Sequence, residues 1–396
     1  MKLIQLLALS LLNAVSLKEK KLITIDLEEV EHFSSLEEQD TKKSGSFLEE
    51  VKAKFFTQKN SGEIDFLRIK KNPKEPLTNS RSIQYTAKIE IGTPPQEFKV
   101  ILDTQSTPLW VTGIDCADFA QCFLHRKFDH SKSKSYSKIT QKNYSRQNLY
   151  YAYVNLGQDK VKLGKLEFDD MSFGSAYYRF ITGQLPAHAD GVLGLGLGEN
   201  EGENDPASIL DLLKDQGLDP IFSLYLNSKQ GGKRGGALEL GGYDSKHFKG
   251  KLHWYPLSSD TEWAVKLNSI KVQNDELELE DTEAVFDISL PWIEISPIVA
   301  ELLNKQIGGQ LKDPYGPYYL NCANQDQLPN ISFKLGNDVY TLKPEDYVFE
   351  SYDQCISVIQ PIRAQGSSKW VLGNRFLKKY YTVFDGDKFR VGLAKL

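Results

Sequence analysis

Two apolar runs in this chain each stop on an aspartate: VILD from Val100 to Asp103, and AVFD from Ala284 to Asp287. Each is followed far downstream by a glycine-punctuated apolar run, DGVLGLG from Asp190 to Gly196 in the first half and WVLGN from Trp370 to Asn374 in the second. A single aspartate after a short aliphatic run is ordinarily a turn or cap residue. Its recurrence in matching frames implies an internal repeat and two lobes of duplicated topology. In each lobe a buried strand would then deliver a carboxylate to an equivalent place.

The surrounding sequence reads as all-β. From Gln84 onward, short β-branched and aromatic runs such as YTAKIEIGTPPQEFKVILD, KVKLGKLEF and ALELGGYD are broken by glycine and proline. Helical patterns are few and short: DPASILDLLKDQG, and SPIVAELLNKQIGG, where Ser296 and Pro297 make a cap and first-turn pair. A length of 396 residues, 40% of them hydrophobic, is enough for two sizeable cores. The net charge of -5 provides no broad basic field, which argues against nucleic acid as a main partner.

The N-terminus, MKLIQLLALSLLNAVSLKEKK, has the lysine, apolar stretch and small residues of a cleaved secretory signal over residues 1–16, with cleavage after Ser16. It is too short to span a bilayer comfortably, and no later run approaches that length. Residues 17–80 form a separate segment of mixed charge, with helical periodicity at EEVKAKFF. In an oxidising compartment the four cysteines admit three pairings, of which the local one is simplest. Cys116, Cys122, His125 and His130 could supply four zinc ligands, but the spacing fits no common finger and secreted thiols oxidise. A disulfide is therefore expected there, with no metal and no cofactor. Asn143 in NYS and Asn330 in NIS are glycosylation acceptors. The run DGVLGLGLGENEGEN lacks the lysine and helix of a phosphate loop, so its glycines are expected to permit close packing beneath the first aspartate loop.

Read in order, IGTPPQEFKVILDT, LWV, ADGVLGLG, FSLYLN, LELGGYDSKHFKGKLHWYPL, LPNISFKLGNDVYTLKPEDYV and WVLGNRFLKKYYTVFDGDKFRVGLA resemble the pepsin-like aspartic peptidases. The resemblance runs from about Tyr85 to Leu396. It implies two pseudo-symmetric β lobes, 81–255 and 256–396, joined by a central sheet, in a monomer that takes a peptide or protein in the interlobe cleft. The loop between Cys116 and Cys122 resembles the family's first bridge, and Cys322 and Cys355 flank a second-lobe segment. Residues 17–80 resemble a propeptide that covers the cleft until acid releases it, with Lys70 or Lys71 pairing with the active-site carboxylates. The implied location is the secretory pathway, ending outside the cell or in a lysosome or vacuole.

The resemblance makes Asp103 and Asp287 the catalytic pair. Two carboxylates a few ångströms apart cannot both ionise, so one stays protonated while the other acts as base toward a shared water; this family is the standard example of that arrangement. The pair titrates as a unit, which favours activity at acid pH. Around the aspartates the sequence departs from the family's Asp-Thr-Gly pattern. The first loop keeps Thr104 and Ser106 but has Gln105 in place of glycine, and its long side chain is expected to enter the cleft. In the second, Ile288 replaces the bracing threonine, leaving Thr104 without its symmetric partner, and Ser289 replaces the glycine. The flap region, QKNYSRQNLYYAYVN, has no glycine; Tyr144 and Tyr150 are candidates for the flap tyrosine, although ungapped alignment puts Gln147 there. An ordinary surface hairpin with scattered tyrosines is the competing reading. Two functions follow: an acid endopeptidase made as a zymogen, or an inactive relative that uses the groove to bind peptide or protein.

Overall fold

The computed structural model describes residues 22–35, 79–117, 122–146, 150–181, 189–198, 206–226, 235–312, 317–351, 354–362 and 369–396. The signal segment, EEVKAKFF, Lys70, Lys71 and Gln147 lie outside the described residues.

The first half contributes strands β1 (Ile23–Ser35), β2 (Asn79–Ile91), β3 (Gln96–Asp103), β4 (Leu109–Thr112), β5 (Ser137–Arg146), β6 (Tyr150–Leu163), β7 (Leu166–Ile181), β8 (Gly191–Gly194), β9 (Ile221–Leu226) and β10 (Gly236–Leu240). The second contributes β11 (Lys249–Pro256), β12 (Ala264–Val272), β13 (Asp275–Asp287), β14 (Ile293–Ile295), β15 (Gln310–Leu311), β16 (Tyr318–Leu320), β17 (Ile331–Leu335), β18 (Asp338–Leu342), β19 (Val348–Ser351), β20 (Gln354–Ser357), β21 (Ile359–Pro361), β22 (Trp370–Gly373), β23 (Tyr380–Asp385) and β24 (Arg390–Lys395). The two helical patterns form α1 (Ile209–Asp215) and α2 (Pro297–Gln306). Ser208 caps α1 by accepting from the Asp211 amide. Pro297 opens α2 as expected, but the Ser296 side chain makes no cap bond.

The all-β expectation holds. One sheet of thirteen strands runs β11-β24-β23-β9-β10-β1-β2-β3-β8-β4-β7-β6-β5, a second of seven runs β18-β17-β12-β13-β22-β14-β21, and a third has four. Strands from the chain's C-terminal end, β23 and β24, join the large sheet beside β9, so the first and last thirds share a sheet. In β3 the last four residues are all buried, which is why VILD does not alternate: the strand end is covered on both faces.

The internal repeat appears as a duplicated strand arrangement. Parallel pairing of β3 with β8 sets Asp103 opposite Gly194, and parallel pairing of β13 with β22 sets Asp287 opposite Gly373. The antiparallel partner of β8 is β4, and that of β22 is β14. Each of these in turn has a parallel neighbour, β7 or β21. The glycines opposite the aspartates are required by close approach: a Cβ on Gly194 would fall within contact distance of the Ser106 and Thr107 backbone, and one on Gly373 would overlap the carbonyls of Leu290 and Trp292.

The leading segment is more deeply integrated than a separate segment would be. β1 lies between β10 and β2, with Ile23 opposite Leu240 and Glu28 opposite Thr86. Ile23, Ile25 and Leu27 are buried while Thr24 and Asp26 are exposed, the period-two pattern of a half-buried strand. Ion pairs tie it sideways: Glu28 to Lys99 at 2.5 Å and Glu29 to Lys378 at 3.0 Å.

Both local disulfides form, Cys116–Cys122 and Cys322–Cys355. The thiols are therefore unavailable as zinc ligands. Asn143 and Asn330 are both exposed. Among the described residues no helix is long and apolar enough to cross a membrane.

Candidate active site

Asp103 and Asp287 end their strands fully enclosed, at 1% and 0% exposure. Each carboxylate is held by its own loop. The Gln105 amide donates to Asp103 Oδ1 at 2.9 Å and the Ser106 hydroxyl to Oδ2 at 2.7 Å. On the other side, the Ser289 amide and hydroxyl both donate to Asp287 Oδ1, at 2.8 and 2.7 Å. The backbone N–H thus survives loss of glycine at both sites, and Ser289 adds a hydroxyl that glycine would not have.

Bonds between the two loops bring them together. Thr104 Oγ1 donates to the Phe286 carbonyl at 2.8 Å and accepts from the Ile288 amide at 3.2 Å. Its hydroxyl is therefore used in both directions, and the deficit expected at Thr104 from the loss at Ile288 does not arise. Ile288 itself is fully buried in the hydrophobic core. The Gln105 side chain does not turn into the cleft either: its amide crosses to the same Phe286 carbonyl at 3.0 Å. A carbonyl oxygen has two lone pairs, so it accepts both donors, and the glutamine adds a second brace to the one threonine that remains.

A further layer of bonds fixes the loops from below. Leu195 N–H donates to the Asp103 carbonyl at 2.7 Å and Gly196 N–H to the Ser106 carbonyl at 2.8 Å. In the second lobe the Asn374 side chain donates to the Ile288 carbonyl at 3.2 Å and its amide to the Leu290 carbonyl at 2.7 Å. Gln84, fully buried within β2, donates to the Ser289 carbonyl at 3.1 Å. Trp263 Nε1 reaches from the second half to the Leu195 carbonyl at 2.8 Å. Gly194 and Gly196 of DGVLGLG accordingly pack under the first loop, as expected, while Gly191 packs against Trp110 and Val111 of β4.

The arrangement is two enclosed, hydrogen-bonded carboxylates on paired, cross-braced loops in a duplicated β framework. The family model described as eukaryotic aspartyl protease matches residues 84–396. The chain belongs to this aspartyl protease family. Its relatives include a probable vacuolar protease A of Trichophyton verrucosum, 35% identical over 81% of this chain and 80% of that protein. A vacuolar aspartic protease of Candida albicans is 35% identical over 87% of this chain and 81% of its own. Cathepsin E of Mus musculus is 33% identical, with 81% of this chain and 82% of the relative covered.

In this member of the family the stretch holding both flap candidates forms the hairpin of β5 with β6, and Tyr144 is paired in it opposite Ala152. Tyr150 begins β6 and is buried, its ring 5.3 Å from that of Trp110. Together with Ile101, Val192 and Leu290 these residues form a small apolar cluster distinct from the main core. Ile101 is two residues before Asp103 on one strand and so shares its face, which puts the cluster on the aspartate's side of the sheet. Leu290 comes from the opposite lobe's aspartate loop.

Arg179 completes this wall and has no counterpart among the sequence expectations. It is 1% exposed, with its guanidinium 5.5 Å over the Trp110 ring and bonded to Thr112 Oγ1 at 2.5 Å and to the carbonyls of Ala189 and Asp190 at 3.4 Å. Burial pushes its pKa down to about 10, with the Asp190 charge opposing that shift. Gln84, Asn374 and Arg179 make contacts around these loops that reading the sequence for motifs did not single out. Of these only Asn374 carried a signal, its place directly after Gly373 in the repeated frame.

Proposed function

We propose that this protein is an acid endopeptidase in which Asp103 and Asp287 share a water. The ionised partner takes a proton from that water as it attacks the peptide carbonyl, and the protonated partner donates to the developing oxyanion. The observation that carries the reading is the bracing between the loops: Thr104 and Gln105 both bond to the Phe286 carbonyl, so the aspartate turns are held together despite the altered motifs. Position matters at this level, because a reacting group misplaced by about 1 Å costs on the order of 100-fold in rate. The test is cleavage of a quenched peptide library by the secreted protein at acid pH, beside Asp103→Ala. Cleavage abolished by that substitution supports the reading.

The enzyme is made as a zymogen under this proposal, entering the secretory pathway through residues 1–16 and reaching an acidic vacuole or lysosome. Two relatives carry vacuolar protease names, which supports that destination. Residues 17–80 act as the propeptide, fastened by the ion pairs of Glu28 and Glu29, of which the Glu28 pair is acid-sensitive. Asn143 and Asn330 carry glycans. The lobes divide near residue 256, and the working form is a monomer.

One observation favours the alternative, an inactive binder. Tyr150 packs against Trp110 in a cluster that includes Leu290, on the aspartate's side of the sheet, and the stretch QKNYSRQNLYYAYVN carries no glycine. That wall would keep a groove for a peptide while hindering flap closure. Tight binding of a statine-type inhibitor without any turnover would establish this second reading.

A further inference from the structure

We propose that Glu239, Asp244 and His247 form a binding site for one zinc ion, where β10 turns out of the large sheet. The three side chains come from a nine-residue stretch, ELGGYDSKH. One ligand atom from each can be chosen so that all lie within 4.8 Å of one another. Metal ligation weighed at Cys116, Cys122, His125 and His130 is removed by the disulfide; this cluster is elsewhere in the chain and involves no cysteine.

Glu239 is the anchor. Its side chain is fully buried, and its Oε2 accepts from the hydroxyls of Ser223 at 2.8 Å and Tyr381, and from the Asp244 amide at 3.1 Å. These bonds fix the carboxylate plane and leave Oε1 facing His247. Oε1 is 2.9 Å from His247 Nδ1, yet the two are not aligned as a hydrogen bond, and neither atom has another hydrogen-bond partner among the described residues. A buried carboxylate oxygen without a hydrogen bond is costly. Two lone-pair atoms at this separation, not joined by an aligned proton, are placed to converge on a cation.

The imidazole is held as well as the carboxylate. Its ring stacks on Tyr225 with centroids 4.4 Å apart and planes 13° apart. Asp244 is oriented by capping the short turn Ser245–His247, its Oδ1 accepting from the Lys246 amide at 2.9 Å. Outer partners that fix the first ligands are a usual mark of metal sites. Two carboxylates and a neutral imidazole balance one divalent charge, and a mixed set of three protein ligands with room for water suits zinc. Calcium would need about six to eight oxygens, which this set does not supply. His247 is 30% exposed, so the cluster lies just beneath the surface. Glu239 pairs with Thr24 of β1 and Ser223 of β9, so a bound ion would pin the turn after β10 to the centre of the large sheet.

The test uses the full chain, stripped with a chelator and titrated with zinc against a chromogenic indicator at about pH 7.5, above the usual histidine range. One zinc per chain is expected, with a rise in Tm that the chelator reverses. His247→Phe keeps a ring over Tyr225 and removes the nitrogen, so affinity falls more than about 100-fold; Tyr381→Phe, which loosens Glu239, weakens it by about tenfold. If His247→Phe does not fold, Asp244→Asn, which retains the turn cap, carries the same expectation. No stoichiometric uptake, or uptake that survives both His247→Phe and Asp244→Asn, overturns the proposal. A variant that lowers Tm equally with and without zinc would mean an ion pair only, and would also overturn it. None of these readouts depends on peptidase activity.

Discussion

Thr104 carries two of the three bonds described between the aspartate loops, and Gln105 carries the third. Thr104→Val leaves the buried Ile288 amide without its acceptor, so it should cost about 1–3 kcal/mol, measured by denaturant unfolding. Gln105→Ala should cost about 1 kcal/mol, because Phe286 keeps the threonine hydroxyl as donor. As both side chains share one carbonyl, the double substitution should depart from additivity by about 0.5 kcal/mol or more. Reading the motif alone suggests that Gln105→Gly repairs the site. The observed brace predicts the reverse: peptidase activity falls with Gln105→Gly, and a rise in turnover would contradict the bracing role. Where the glutamine goes was not legible in the sequence, because its acceptor lies 181 positions away and belongs to the other loop.

At the level of elements, the repeat is the feature that could be read directly. VILD and AVFD predicted buried strands, and β3 and β13 deliver both aspartates opposite a glycine in the next parallel strand. Gly373→Ala should therefore push the second loop outward, costing about 3 kcal/mol, and lower kcat before it alters substrate binding. The bridges differ by the loop they close. Cys322–Cys355 spans 33 positions and Cys116–Cys122 spans 6, so on a chain-entropy basis their removal should cost about 4 and about 2 kcal/mol respectively, compared by unfolding of the paired serine variants. β1 was the element least visible beforehand. Its alternation covers only Ile23 to Leu27, and its neighbours β10 and β2 are distant in sequence, so a charged leader hid a strand of the large sheet.

For the whole molecule, β1 couples the leading segment to acidity. A hydrogen bond from Lys99 holds the Glu28 carboxyl below its ordinary value of 4.5. A lowered folded pKa means that this contribution is complete above 4.5 and is lost as pH falls through the lowered value. Glu28 is more than a third exposed, so solvent screens the pair and the effect on its own is small. Hydrogen exchange in β1, corrected for intrinsic rates, should accelerate from about pH 5 to about pH 3, and Lys99→Met should flatten that step. Equal protection at both pH values would argue against an acid-sensitive fastening.

The fold was legible because two apolar runs, two glycine runs and the order of the intervening strands all repeat. The site was legible only as far as its aspartates. The supporting contacts of Gln84 and Arg179 arise from residues brought together by the sheets, and no local pattern announces them, whereas Asn374 is marked by its place after Gly373. Peptide hydrolysis by the braced pair is tested by the pH profile of cleavage of a quenched peptide library by the acid-treated protein, beside Asp103→Ala and Asp287→Ala. A water shared by the two aspartates predicts turnover confined to acid pH and abolished by either substitution. Turnover that persists in either variant, or none from the parent protein at any pH while an inhibitor still binds, would contradict it.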